Sequence, residues 1–339
     1  MSTARLERKL STDVSNLTYG EALRDGLRQA MELSDKVFTF GIGVASKAGV
    51  FGTTDGLIDR FGSERVFDTP IAESALTGMA AGAGHSGLRP VLIHQRLDFM
   101  LYSVDQIVNW MALWRFISGG QAKMPVTIRA IVGKGWGQGP QHSKSLHTWF
   151  AHVPGLQVVM PASPADAKGL LLSSIMSDDP TIFIEGRSLF SMREDVPDEP
   201  YFIRLGKAFV RRSGTDVTLV SFGSMIPASL EAADILASEG IDAEVIDLRC
   251  LMPLDMDTVV ASVEKTGRLV VAEPGWEQYG SAAEIIAATT ERAVGSFKSP
   301  PRRVAWPHSY VGTSSVLDEG YYPTSVEVVA ACRATVKKV

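Results

Sequence analysis

A chain of 339 residues with 45% hydrophobic side chains, 21% charged ones and 31 glycines has a folded α/β composition, and two domains of roughly 150 residues each are expected at this length. Its net charge of -5, with no basic stripe, gives no electrostatic reason to expect nucleic acid or an anionic membrane as partner. No apolar run is long enough to cross a bilayer, and Cys250 and Cys332 lie far apart in apolar contexts, so neither a disulfide framework nor a CxxC metal site is expected and a reducing cytoplasm fits.

Residues 1–16 are polar, lack the apolar core of a secretory signal and are expected as a flexible arm. Thr18 to Leu33 places Ala22, Leu23, Leu27, Ala30 and Met31 on one face, with Thr18 and Glu21 forming a capping box, which predicts a first helix. Lys36 to Gly43 predicts a short buried strand, and FGTTDGLIDRFG a loop entering a short helix. Val66 and Phe67 end another strand, Asp68 to Pro70 form a turn, and Glu73 opens a helix whose small residues (Ala75, Ala80, Ala81, Ala83) allow close packing. An acid in a first helical turn is ordinarily explained by the helix dipole alone. A strand at Leu88 to His94 and a helix at Tyr102 to Ile117 continue the alternation.

Val126 to Val132 predicts a β-branched strand that runs into GKGWGQGPQHSKS. Four glycines in seven residues, followed by Pro140, exclude helix and good strand and allow the backbone to approach another group closely; His142 sits just past them. A strand at Leu156 to Met160, a helix at Pro164 to Met176 capped by Ser163, and a strand at Thr181 to Glu185 complete a first domain, 17–190. This pattern predicts a doubly wound, mainly parallel sheet whose crevice lies beyond the carboxyl ends of its strands, where Glu73, Phe99 and the glycine-rich loop all fall. The charged, proline-punctuated 191–205 is expected as a linker. From 206 to 339 strands and helices alternate again, so the second domain is also expected to be α/β.

RVFDTPIAESALTGMAAGAGHSGLRP, YSVDQIVN, SGG, GPQHSKS with WFAHVPGLQVVMPASPADAKGLL, and VVAEPGWEQYGSAAEI together resemble the β subunit of the thiamin-diphosphate-dependent component of 2-oxo acid dehydrogenase complexes, such as pyruvate dehydrogenase, within the transketolase-like superfamily. Spread in one order over nearly the whole chain, these blocks are far more specific than a lone glycine motif. The resemblance implies a pyrimidine-binding domain followed by a transketolase-type C-terminal domain. By match to the family's TPISE-like segment, here TPIAE, it gives Glu73 the task of exchanging a proton with N1′ of the cofactor's aminopyrimidine. Phe99 would lie flat against that ring, Ile71 and Gln95 would join it around the cofactor, and His142 would stand beside the reacting carbon. His147 has no counterpart in the family pattern, and His152 is expected to hold a turn.

The resemblance further implies a monovalent cation, K⁺, near the end of the Pro164 helix, held by the carbonyls of Val126, Ser174, Ile175 and Ser177 together with Asp179. An acid is usual where Ser177 stands. The superfamily holds its diphosphate and Mg²⁺ with a GDG sequence and a downstream Asn, hard oxygen ligands suited to that cation. This chain lacks the motif; Thr53 to Asp59 (TTDGLID) reads as a surface turn. The missing half of the site is therefore expected from an α subunit in an α2β2 assembly, with a lipoyl acyltransferase as a further partner.

Two departures bear on coupling and on substrate. Ile42 replaces the family's acid two positions before Val44, and His94, Gln95 and Arg96 replace neutral residues before the stacking ring. His94 and Arg96 are candidate substrate contacts with His142. Arg96 would bind a carboxylate or phosphate if it points inward, or would pair with Asp98 if it does not. Decarboxylation with acyl transfer is the favoured reading. A split transketolase-like or acyloin-forming carboligase is the alternative, and a silent scaffolding subunit a third.

Overall fold

The structure, a computed structural model, describes residues 13–134, 137–318 and 320–336. Its strands are β1 (Val14–Thr18), β2 (Val37–Gly41), β3 (Val66–Asp68), β4 (Arg89–His94), β5 (Thr127–Val132), β6 (Gln157–Val159) and β7 (Thr181–Gly186), then β8 (Arg193–Pro197), β9 (Phe209–Arg212), β10 (Val217–Ser221), β11 (Ala243–Asp247), β12 (Cys250–Met252), β13 (Leu269–Trp276) and β14 (Arg302–Trp306). The first large sheet has the order β12-β6-β7-β5-β4-β2-β3 and the second β14-β13-β10-β11-β9. Both are parallel except at one edge, where β12 and β9 run antiparallel to their neighbours. Buried on both faces, the central strands are continuous apolar runs such as TIRAIV and VTLVS.

Helix Tyr19–Leu33 carries the expected capping box and packs on helix Pro164–Met176. Helix Glu73–His85 lies so close to the sheet that a Cβ on Gly84 would come within 2.7 Å of Val126 Cγ2. The expected helix at 102–117 is one winding run with a π-type stretch over Gln106–Met111.

Two expectations meet unexpected secondary structure. Of the arm 1–16, residues 1–12 lie outside the described residues, but Val14–Asn16 belong to β1, which pairs antiparallel with β8 inside the segment expected as a linker. Alternation of exposed and half-buried side chains in this short ribbon gave little apolar pattern to read. The second half also returns a strand, β12, to the edge of the first sheet. Beside it Asp166 of the first half pairs with Arg211 and, at 2.6 Å, with Arg249 of the second, while Arg211 reaches Asp247 at 2.8 Å. The two halves are thus joined by strand pairing and a half-buried charge cluster.

Candidate active site

The segments that follow the carboxyl ends of β2, β3, β4 and β5 carry Ile42, Glu73, Gln95 to Phe99 and Gln138 to His142, and these strands are neighbours in the sheet. A cleft of about 310 Å³ opens there, lined by Phe51, Gln95, Arg96, Phe99, Gly137, Gln138 and His142. Gly135 and Trp136 of the glycine-rich loop lie outside the described residues.

The loop returns on itself because Gly133 N–H donates to His142 C=O at 3.1 Å, and a Cβ on Gly133 would fall 2.2 Å from that same oxygen. His142 Nδ1 lies 3.1 Å from the Gln138 carbonyl. A carbonyl only accepts, so Nδ1 carries the proton, and in the neutral ring Nε2 is the bare nitrogen. The His142 ring meets the Phe99 ring edge to face at 5.5 Å, and Phe99, 36% exposed, offers its surface to the cleft. Gln95 is held by its Nε2 donating to Ile42 C=O at 3.0 Å, a contact with the backbone at the position where the family pattern carries an acid.

Glu73 begins the helix that follows β3 and, like Ile71, is not among the residues lining this cleft; its main-chain carbonyl accepts from Ser103 Oγ at 3.0 Å. Ser103 ends the turn Phe99–Ser103, so the acid and the ring are fastened through one hydroxyl. Ile71, 79% exposed, is outside the cleft lining.

Arg96 and His94, expected as a pair of substrate contacts, part company. Arg96 lines the cleft; its Nε and Nη2 donate to Gln138 Oε1 at 3.2 and 2.7 Å, and Nη1 to the Gln95 carbonyl at 2.7 Å. Asp98 does not pair with it; its Oδ1 accepts from Lys144 Nζ at 3.0 Å. Burial lowers the Arg96 guanidinium from its ordinary pKa, Arg187 adds to the effect, and Asp98 opposes it. His94 is buried in the core and absent from the cleft lining, and burial pushes its imidazole down to about 4, so it is neutral at pH 7.

Of the atoms expected to hold a monovalent cation, the Ile175 and Ser177 carbonyls accept from Arg89 Nη1 at 3.0 and 2.6 Å. The Val126 carbonyl accepts from Thr181 N, the Ser174 carbonyl from Ser177 N, and Asp179 pairs with Arg115. Every one of the five groups therefore has a protein partner. Among the described residues no cluster of His, Cys, Asp or Glu could hold a metal, and no helix is long and apolar enough to cross a membrane. TTDGLID forms a turn and a short helix, with Asp55 3.5 Å from Arg24.

His147, which has no counterpart in the family pattern, lies in the core. Its Nδ1 is 2.9 Å from Ser145 Oγ and its Nε2 3.7 Å from Glu273 Oε2, all three residues being buried. An acid inside the apolar strand LVVAEP was the available signal. Ser145 also lines a larger groove of about 1220 Å³, with Trp149, Met252, Trp276 and Tyr279, that contains none of the expected catalytic side chains.

Residues 15–192 match the transketolase pyrimidine binding domain and residues 206–328 the transketolase C-terminal domain. The chain is 43% identical to the pyruvate dehydrogenase E1 component subunit beta of Bacillus subtilis, over 94% of this chain and 98% of the relative. It is 41% identical to the acetoin:2,6-dichlorophenolindophenol oxidoreductase subunit beta of Cupriavidus necator, over 93% and 96%. A solved structure titled split gene transketolase, inactive beta4 tetramer, superposes with a TM-score of 0.77 at 26% identity, covering 95% of this chain and 99% of that one.

Proposed function

The chain belongs to the family of thiamin-diphosphate-dependent, transketolase-like β subunits typified by pyruvate dehydrogenase E1, and on that premise we propose that it provides the pyrimidine-binding half of an enzyme that decarboxylates a 2-oxo acid and transfers the acyl unit. The observation that carries this reading is the edge-to-face meeting of Phe99 and His142 in an open cleft at the carboxyl ends of neighbouring parallel strands, with the start of the Glu73 helix tied through Ser103 to the turn that carries Phe99.

Those residues fit the aminopyrimidine end of the cofactor: an exposed flat ring, an acid at a helix mouth and a histidine with one nitrogen bare. When bound, thiamin diphosphate supplies an acidic thiazolium C–H and an aminopyrimidine able to act as its base. Glu73 holds and returns a proton at pyrimidine N1′. Phe99 covers the ring face and keeps water from it. His142 gives or takes a proton at Nε2 beside the substrate carbonyl, its ring fixed by Gln138.

The diphosphate and Mg²⁺ fall to an α-type subunit with the GDG and Asn motif, in an α2β2 assembly. Exposed Tyr102, Trp110, Phe116 and Ile117 support such a partner, since isolated chains rarely leave so much aromatic surface bare. A lipoyl acyltransferase, a cytoplasmic site of action and a division of the chain at 191–205 complete the proposal. A K⁺ ion at Val126, Ser174, Ile175, Ser177 and Asp179 would have to share carbonyls with Arg89. The acyloin-forming or transketolase-like variant draws support from the acetoin-linked relative and the transketolase likeness. Retention of Glu73, Phe99 and His142 together argues against a silent scaffold.

Reconstitution tests the reading. Thiamin-diphosphate-dependent loss of CO₂ is expected only when this chain is combined with an α-type subunit, and reduction of a lipoyl domain separates acyl transfer from new C–C bond formation. Micromolar binding of the cofactor by this chain alone would overturn the half-site.

A further inference from the structure

Arg96 is 7% exposed, and among the described residues no carboxylate lies within ion-pair distance of it. Its guanidinium rests 4.9 Å from the Phe51 ring centre, and that of Arg187 4.8 Å from the same ring. Three of the five Arg96 N–H groups are engaged, by Gln138 and the Gln95 carbonyl, and both of these partners are neutral. Taking a cation out of water without an anion is costly, so a buried guanidinium at the rim of an open cleft calls for a negative group from outside the chain. Asp98, the acid nearest in sequence, acts on Arg96 only from a distance and pairs through Oδ1 with Lys144.

The anion is not well explained as the carboxylate of the 2-oxo acid that departs as CO₂. A fixed cation on that group would bind it more tightly in the ground state than in a transition state where its charge is leaving, and so would oppose the reaction. Resting on the function proposed above, we infer that Arg96 receives a second, distal anionic group of the substrate, a carboxylate or a phosphate monoester, and that this chain serves a 2-oxo acid carrying such a group. Phe51 and Gln138 hold the planar fork in place, so little freedom is lost when the anion arrives.

The test uses the reconstituted complex with three 2-oxo acids: pyruvate without a distal anion, 2-oxoglutarate with a carboxylate and 3-phosphohydroxypyruvate with a phosphate. One of the two acidic substrates is expected to exceed pyruvate in kcat/KM by about 10- to 100-fold, the range of a charge-assisted hydrogen-bonded contact. Which one does so identifies the anion. In Arg96→Gln this ratio should fall toward one, and Arg96→Lys should keep part of it. Preference for pyruvate over both, or an unchanged ratio in Arg96→Gln, would overturn the inference and leave Arg96 as a brace for Gln138. Calorimetric titration of the same complex with succinate and with inorganic phosphate gives a readout independent of turnover, with binding of one of them expected in the wild type and lost in Arg96→Gln. Should the intact complex turn over no 2-oxo acid, the decarboxylase reading fails, while the titration still decides the inference about Arg96.

Discussion

Ser103 Oγ donates to the main-chain carbonyl of Glu73 at 3.0 Å and itself accepts from Thr77 Oγ1 at 2.8 Å. One buried hydroxyl thus fixes the start of the helix that carries the acid to the turn that carries the Phe99 ring. The link holds the main chain at the start of the Glu73 helix against the turn that carries Phe99.

Glu73→Gln removes the transferable proton but keeps the shape of the side chain. In the reconstituted complex kcat should fall by about 10²- to 10⁴-fold, the range of general acid–base catalysis, with the unfolding transition unchanged. Turnover at the wild-type rate would remove Glu73 from the chemistry and leave it as a helix-dipole residue.

Ser103→Ala keeps the acid but frees its helix end. A stability loss of about 1 kcal/mol is expected for one net hydrogen bond, and kcat should drop by roughly tenfold because the carboxyl group is less well aimed. Equal kcat and an unaltered cofactor KM would show that the link is structural only.

What the sequence revealed followed the strength of its local signals. The capping box at Thr18 and Glu21 and the apolar runs of β4 and β5 are legible because a helix face and a doubly buried strand each have a one-dimensional pattern. The ribbon of β1 and β8 and the edge strand β12 leave no such pattern, since each is short and owes its existence to a partner far away in sequence. At the site, Glu73, Phe99 and His142 came from ordered family blocks. Ser103, Gln138 and the Ser145, His147 and Glu273 trio act through contacts that no spacing rule displays. His94 and Arg96 are two residues apart and both buried, yet only Arg96 lines the cleft, because β4 ends at His94 and the segment after it runs along the cleft.

Arg129 on β5 and Glu185 on β7 form a two-pronged ion pair, at 2.5 and 3.0 Å, with neither side chain exposed. Burial raises the Glu185 carboxyl from its ordinary pKa while Arg129 pulls it back down. Arg129→Met leaves Glu185 buried and unpaired, and about 3–5 kcal/mol of stability should be lost. Adding Glu185→Leu should restore most of it, since a well-packed apolar pair often matches a buried ion pair. Urea unfolding of both variants measures this, and a double variant no better than the single one would mean that the pair is worth more than its desolvation costs.

His94 supplies a pH test whose sign follows from its environment. Burial holds its imidazole down to about 4 in the folded chain against 6.5 unfolded, so below 6.5 the unfolded state binds a proton that the native state refuses. Its contribution is therefore fully present above pH 6.5 and is lost as pH falls toward 4. At 1.36 kcal/mol per unit the loss from this residue comes to about 3 kcal/mol. His94→Leu has no proton to take up, and among the described residues Nε2 of the wild-type ring has no hydrogen-bond partner to forfeit. Subtracting its urea-unfolding free energies from those of the wild type, pH by pH, should leave a difference that is flat above 6.5 and declines steadily below it. A flat difference over the whole range would mean that His94 becomes protonated without opening the core.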